Sequence, residues 1–133
     1  MVIGIGTDIV EVVRIEKTLN DEKFLNKTFT DAEIEYCRPK GAASFAGLFA
    51  AKEAVAKAMG TGFRGFFPRD VEIWHDDAGQ PRVKLSDKVE ILTNSIILIS
   101  IAHEKAYATA AAIIMEGENG AQTTQPTYPG RQA

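Results

Sequence analysis

One segment near the middle of the chain predicts a long helix, around which the rest of a small protein must be arranged. Residues 44–59 are rich in alanine, the residue with the highest helix propensity. Ser44 is a suitable N-cap, and Gly60 is a natural residue just beyond the last turn. The apolar residues of the segment recur at helical spacing and form one stripe: Phe45, Leu48, Phe49, Val55 and Met59. We therefore expect a long helix with this stripe in the core.

The first residues of the chain, 2–9, alternate in the manner of a β-strand. One face would carry Ile3, Ile5 and Ile9, and the other Gly4, Gly6 and Asp8. The second face is nearly bare of side chains up to its carboxylate. It therefore has room for a ligand or for another strand.

Other short elements surround the long helix. Short helices are predicted at 12–19, at 31–38 behind a Thr30–Glu33 capping box, and at 86–93. Two β-hairpins are predicted, one from 70–74 and 82–85, the other from 96–103 and 107–115; the second is strongly apolar and should be buried. Because helices and strands do not alternate regularly, the class is α+β: a small antiparallel sheet with a long central helix.

Length and composition narrow the possible functions. The 133 residues suit one domain, expected over 1–116, followed by a disordered tail over 117–133 that is rich in Gly, Gln, Thr and Pro. A formal net charge of −3 argues against a nucleic-acid binder. No apolar run approaches the roughly 20 residues that span a membrane, and no signal peptide is visible. We expect a cytoplasmic protein that binds neither nucleic acid nor membrane.

Four polar residues in these elements could carry chemistry. Asp8 is either a ligand for a hard metal ion or the cap of the helix that follows it. Glu53 and Lys57 are four residues apart and share a helix face, where such a pair is usually solvated. Lys52 falls within the apolar stripe, where a lysine either reaches out to solvent or meets an anion.

Each of three further features has two possible interpretations. The glycine-rich loop 60–65 follows its helix rather than opening one, so it either only terminates the helix or also contacts a ligand through its backbone. His103 closes an apolar strand, where it either belongs to a turn or hydrogen-bonds a phosphate. Arg14 begins a weak basic stripe that is either solvated or receives an acidic protein. The other members of the stripe are Lys17, Lys23 and Lys27.

Taken together, these segments resemble the signature segments of the 4′-phosphopantetheinyl transferases. One is GTDIV at 6–10 followed by Arg14, and the other is FAAKEAVAK at 49–57. The likeness is supported by residues 29–33, 60–62, 70–73 and 79–81, and it runs from residue 2 to about 115. Within this superfamily the chain resembles the small bacterial type, the holo-acyl-carrier-protein synthases.

The resemblance implies an activity and a set of site residues. The 4′-phosphopantetheine arm of coenzyme A would pass to a serine of an apo-acyl carrier protein, releasing 3′,5′-adenosine bisphosphate. Asp8 and Glu53 would bind Mg²⁺ and act in catalysis with Lys57, which neutralises phosphate charge. Glu53, or a water that it orients, would accept the serine proton. Coenzyme A would contact Lys40, Lys52, Lys57, Gly60, Thr61, Gly62 and His103. Arg14 would bind the carrier protein.

The resemblance also implies an assembly. Larger members contain two such halves, whereas this chain has one copy of each signature segment, so a homotrimer with active sites at its interfaces is implied. Two positions depart from the pattern: Leu48 replaces a common arginine that helps to hold coenzyme A, and Ala102 replaces a common serine or threonine. The alternatives are a magnesium-dependent phosphohydrolase and a non-catalytic trimeric binding module.

Overall fold

The computed structural model describes residues 1–89, 91 and 94–117 and confirms an α+β fold. Its elements are β1 (Val2–Glu11), α1 (Val12–Glu16), α2 (Glu22–Thr28), α3 (Asp31–Cys37), α4 (Ala42–Ala58), a 3₁₀ turn (Pro68–Asp70), β2 (Val71–His75), β3 (Pro81–Leu85), β4 (Ser95–His103) and β5 (Tyr107–Glu116). One antiparallel sheet has the order β1-β5-β4, and β2 and β3 form a separate hairpin.

Helix α4 lies against one face of the three-stranded sheet, where it packs on all three strands. Close contact with β1 is possible only because β1 has glycines there. A Cβ on Gly4 would lie 1.9 Å from the carbonyl oxygen of Ala58, and one on Gly6 would lie 2.0 Å from that of Ala54. The bare face of β1 is therefore filled by α4, so the expectation that it receives a ligand or a strand is wrong.

We predict that Gly6→Ala lowers the free energy of unfolding by about 3 kcal/mol, since overpacking against a backbone cannot be relieved by a rotamer change. Urea denaturation would measure this loss. Ser100→Ala, on the exposed face of β4, should stay within about 0.5 kcal/mol of the parent chain. An equally small effect of Gly6→Ala would contradict the packing described here.

Helix α4 begins earlier than the sequence predicted. Its N-cap is Gly41, with φ of +103°, and not Ser44, which lies within the first turn. A side chain is rarely tolerated at such a φ, so the glycine itself marks the start. The other end agrees with the prediction, because Gly60 has a φ of +79° just beyond Met59. The helix is buried on several faces, not on one stripe.

Three shorter helices connect the end of β1 to the start of α4 along the chain. Helix α1 ends at Glu16, earlier than predicted, and α2 was not predicted. Asp21 caps α2 by accepting hydrogen bonds from the backbone N–H groups of Lys23 and Phe24. The capping box of α3 is confirmed: the Thr30 hydroxyl accepts from the Glu33 N–H, and the Glu33 carboxylate accepts from the Thr30 N–H.

The second face of the three-stranded sheet is exposed in the single chain. Ile5 and Ile9 are 70% and 67% exposed. Across β5 and β4, the same face carries Thr109, Ala111, Ser100 and Ala102, all exposed. The second hairpin is thus buried on one face only, because alternation sends every other side chain away from α4.

Two predicted segments fall partly or wholly outside the described residues. Of the helix expected at 86–93, residues 87–88 form a turn, and residues 90, 92 and 93 are outside. The tail expected at 117–133 is outside except for Gly117. Among the helices that the structure describes, none has the length and apolarity needed to cross a membrane.

Candidate active site

Asp8 and Lys57 meet at the free edge of β1. The Lys57 ammonium donates to Asp8 Oδ1 at 3.1 Å and to the carbonyl oxygen of Thr7 at 2.9 Å. The Asp8 side chain is 16% exposed and the Lys57 side chain 55%. Asp8 does not cap the following helix, because α1 begins at Val12 with Glu11 as its N-cap. The capping alternative is therefore wrong, and the side chain of Asp8 pairs with Lys57 instead.

Glu53 stands beside this pair, half-buried on α4. Its pKa is raised, first by burial and second by the negative charge of Asp8, while the positive charge of Lys57 acts in the opposite direction. The structure thus brings Asp8, Glu53 and Lys57 together, with two acidic groups close enough to repel each other. Such a pair is stabilised by added positive charge.

The pKa of Glu53 should respond to both neighbours. Asp8→Asn removes a repelling charge, so the pKa of Glu53 should fall; Lys57→Met removes an attracting charge, so it should rise. Titration of the Glu53 carboxyl carbon by NMR in metal-free buffer would measure both shifts. A pKa that stays constant in both variants would show that the three side chains do not form one cluster.

Lys52 is not part of this cluster, and the prediction that it binds coenzyme A is wrong. Its side chain is completely buried and donates to Glu33 Oε1 at 2.7 Å, to Pro68 O at 3.1 Å and to Val71 O at 2.7 Å. Its three N–H bonds are therefore used within the protein. Of the two alternatives, the lysine meets an anion, the Glu33 carboxylate. Burial raises the pKa of Glu33 and lowers that of Lys52, while each charge opposes the change in the other.

His103 lies at the other edge of the sheet, at the end of β4. It packs near the start of α4, because a Cβ on Gly47 would lie 3.5 Å from its Cδ2. Gly47 and Lys57 are ten residues apart, which corresponds to about 15 Å along a helix. Within one chain, the structure therefore does not bring His103 together with the Asp8 cluster.

His103 lines a cleft that also contains two stacked rings. The Tyr36 and His75 rings are 4.3 Å apart and 9° from parallel, and the Lys40 ammonium lies 4.8 Å from the Tyr36 centroid. The other lining residues are Ser44, Gly47, Leu48, Gly79, Pro81 and Ile101. Burial, and then the charge of Lys40, lower the pKa of His75. Sequence reasoning missed the ring stack, since no periodic pattern links residues 36 and 75.

The remaining predicted residues lie in the loop after α4 and on α1. Gly60 and Gly62 have φ of +79° and +63°, and the Gly62 N–H donates to Ala56 O at 3.3 Å, which ends α4 just beyond Lys57. Thr61 is exposed in this loop, and Arg14 is exposed on α1. Helix termination is thus the observed role of the loop, and contact with a ligand stays a prediction.

The Asp8 and Glu53 carboxylates suit a hard divalent cation. Within the described ranges, no group of three or more His, Cys, Asp or Glu side chains could hold a metal ion. Magnesium nevertheless needs only one or two carboxylates when phosphate oxygens and waters complete its coordination. Burial first, and then the negative charge of Asp8, raise the pKa of Glu53, and a bound cation would oppose both by favouring the charged carboxylate. The residues therefore fit Mg²⁺.

Comparisons with known proteins show which sequences this chain is similar to. The family model described as the 4′-phosphopantetheinyl transferase superfamily matches residues 4–112. The holo-[acyl-carrier-protein] synthase of Fusobacterium nucleatum is 48% identical over 122 residues, covering 86% of this chain and 100% of the relative. That of Clostridium botulinum strain Eklund 17B is 50% identical, with coverages of 86% and 98%.

Two solved structures extend the similarity to three dimensions. A holo-(acyl-carrier-protein) synthase from Bacillus anthracis, in complex with CoA (3′,5′-ADP), has a TM-score of 0.76 and 38% identity, covering 88% of this chain and 99% of its own. The Helicobacter pylori enzyme in complex with coenzyme A has a TM-score of 0.72 and 31% identity, covering 84% and 99%.

Proposed function

Because this chain belongs to the 4′-phosphopantetheinyl transferase superfamily, we infer that it transfers the 4′-phosphopantetheine arm of coenzyme A to a serine of an apo-acyl carrier protein. The products are holo-acyl carrier protein and 3′,5′-adenosine bisphosphate. Curated relatives with this activity match nearly their whole length, and related structures hold coenzyme A. The observation in this chain that carries the inference is the cluster of Asp8, Glu53 and Lys57.

The cluster suggests how the chain performs the reaction. Asp8 and Glu53 would hold Mg²⁺, which when bound supplies positive charge to the diphosphate of coenzyme A. Glu53, or a water that it orients, accepts the proton of the attacking serine. The serine oxygen forms a bond to the phosphorus that bears pantetheine, and the bond from that phosphorus to the leaving adenosine bisphosphate breaks. Lys57 stabilises the negative charge on the leaving phosphate.

Coenzyme A would also need contacts away from the reacting phosphorus. Lys57 lies next to the loop of Gly60, Thr61 and Gly62, so this loop would contact the diphosphate end. The cleft of His103, with Lys40 at the Tyr36 ring, would bind the nucleotide end. Arg14, exposed on α1 directly after β1, would receive the carrier protein, whose acidic surface a cation attracts.

The proposed assembly is a homotrimer with active sites between subunits. Asp8 and His103 lie on strands at opposite edges of the sheet, and we place Asp8 of one chain beside His103 of the next in each active site. The exposed apolar face around Ile5 and Ile9 would be covered in such an assembly. Exposed apolar patches of this kind mark protein interfaces.

A cytoplasmic location stays a prediction from the sequence.

We expect an Ile5→Asp/Ile9→Asp variant to sediment as a monomer, whereas the parent chain sediments as a trimer. Each isoleucine removed from an interface forfeits roughly 1.5–3 kcal/mol of burial, and each aspartate adds a charge. Val13→Asp is the matched control, since Val13 is 48% exposed but belongs to α1 and not to the sheet. A parent chain that is monomeric at micromolar concentration and still active would contradict the trimer.

Mass spectrometry of the carrier protein tests the proposed activity. The chain is incubated with coenzyme A, Mg²⁺ and an apo-acyl carrier protein, and a mass gain of one phosphopantetheine arm is expected. Cleavage of coenzyme A without transfer would instead indicate a phosphohydrolase. Unchanged coenzyme A and carrier would indicate a non-catalytic binding module.

A further inference from the structure

The buried ammonium of Lys52 connects α4 to two other parts of the chain. It donates to Glu33 on α3 and to the carbonyl oxygens of Pro68 and Val71, which frame the 3₁₀ turn before β2. None of these three acceptors belongs to α4. Lys52 therefore links the middle of α4 to α3 and to the 3₁₀ turn by directional hydrogen bonds.

The carboxylate of Glu33 accepts two further hydrogen bonds besides the one from Lys52. Oε1 also accepts from the N–H of Thr30 at 2.8 Å, and Oε2 accepts from the N–H of Ile73 at 2.9 Å. The side chain is 1% exposed in spite of its charge. The Lys52–Glu33 ion pair thus links the start of α3, the middle of α4 and strand β2.

Stability alone does not account for such a pair. Removing two charges from water offsets much of their attraction, and apolar residues of similar volume often stabilise a core equally well. Apolar contacts are not directional, whereas the three hydrogen bonds of Lys52 require a defined position of its ammonium relative to its three acceptors. The consequence of the pair is therefore the position that it gives to α4.

That position determines where the active-site residues of α4 point. Glu53 follows Lys52 directly, and neighbouring residues of a helix are about 100° apart, so the direction of one side chain sets that of the other. On its other side α4 meets Gly4 and Gly6 in direct backbone contact. The helix is therefore held between these glycines on one side and the ion pair on the other.

From this geometry we propose that Lys52 and Glu33 are positioning residues: they hold α4 so that Glu53 and Lys57 face Asp8. The proposal rests on the proposed transfer activity. Neither residue touches a substrate. Misplacement of a reacting group by about 1 Å can lower a rate by roughly 10²-fold. Loss of the pair should consequently lower kcat more than it raises the KM for coenzyme A.

The test uses Glu33→Gln/Lys52→Met, which removes both charges at similar volume, and Glu33→Gln, which leaves Lys52 its two carbonyl acceptors. Thermal unfolding gives the folded fraction, and the mass assay gives kcat and KM. Val83→Ala is the matched control: Val83 is 1% exposed in β3, opposite Ile73, and its truncation lowers the Tm while both charges of the ion pair stay in place. We expect kcat to fall by about 10–10²-fold in the double variant and by less in Glu33→Gln. The KM for coenzyme A should change by less than about threefold in both variants. The kcat of the Val83→Ala control should also change by less than about threefold.

Each outcome decides the proposal. If the parent chain transfers normally and a folded pair variant keeps its kcat, the proposal is wrong. It is also wrong if Val83→Ala loses as much kcat as the pair variants at equal loss of Tm, since general loosening would then be the cause. If the double variant does not fold, Glu33→Gln alone decides by the same criteria. No transfer by the parent chain would instead refute the proposed function.

Discussion

Glu53→Gln should lower kcat for phosphopantetheine transfer by about 10²–10³-fold while the protein remains folded. This is the usual cost of removing one group that stabilises charge in a transition state. Glutamine has the shape of glutamate but can neither bind Mg²⁺ as an anion nor accept a proton. The rate would be measured from the mass gain of the carrier protein under saturating coenzyme A and Mg²⁺.

Stability measurements separate this loss from unfolding. Burial and Asp8 both disfavour the charged form of Glu53, which is why its pKa is raised. A neutral side chain at this position therefore should not lower the Tm. Glu35→Gln is the control, because Glu35 is an exposed carboxylate on α3. Transfer by Glu53→Gln within about threefold of the parent rate would rule out the assigned role.

Mixing two impaired variants should restore activity. Asp8→Asn loses a proposed metal ligand, and His103→Ala loses a proposed phosphate contact, whose loss is expected to cost about 10–10²-fold. If each site combines Asp8 of one subunit with His103 of the next, a co-refolded equal mixture has both native residues at about a quarter of its sites. Transfer per site should then recover to about a quarter of the parent rate.

The same experiment has an internal control. Asp8 and Glu53 belong to one cluster in one chain, so mixing Asp8→Asn with Glu53→Gln leaves every site with at least one substitution and should restore nothing. Recovery in that mixture would mean that the two carboxylates come from different subunits. No recovery with Asp8→Asn and His103→Ala, in mixtures shown to be trimeric, would disprove the shared site.

Local signals in the sequence were sufficient for much of the fold. The capping box of α3 and the two hairpins follow from residues close together in the chain. The start of α4 was misjudged, because Ser44 offers a plausible cap and only the positive φ of Gly41 reveals the true one. In β1 the alternation gave the correct faces, but a period of two cannot say whether the neighbour is a strand, a ligand or a helix.

For the candidate site, the sequence indicated some residues correctly and misassigned Lys52. Asp8, Glu53 and Lys57 were chosen through a family likeness, and the structure does bring them together. Lys52 belongs to the same motif, yet its anion is Glu33, which is 19 residues away and on another helix. Pairing between side chains on different elements leaves no periodic trace in a sequence. The odd feature, a lysine among apolar residues, was visible, but its partner was not.

Binding of Mn²⁺ in the presence of coenzyme A, followed by electron paramagnetic resonance, tests most directly whether Asp8 and Glu53 share one divalent cation. The parent chain and Glu35→Gln should bind one ion per subunit. Loss of a carboxylate ligand should cost at least the 10–100-fold that even outer contacts to a metal contribute, so Asp8→Asn and Glu53→Gln should each bind at least about 10-fold more weakly. If both variants bind Mn²⁺ as tightly as the parent chain, the ion lies elsewhere and the assignment of the active site is wrong.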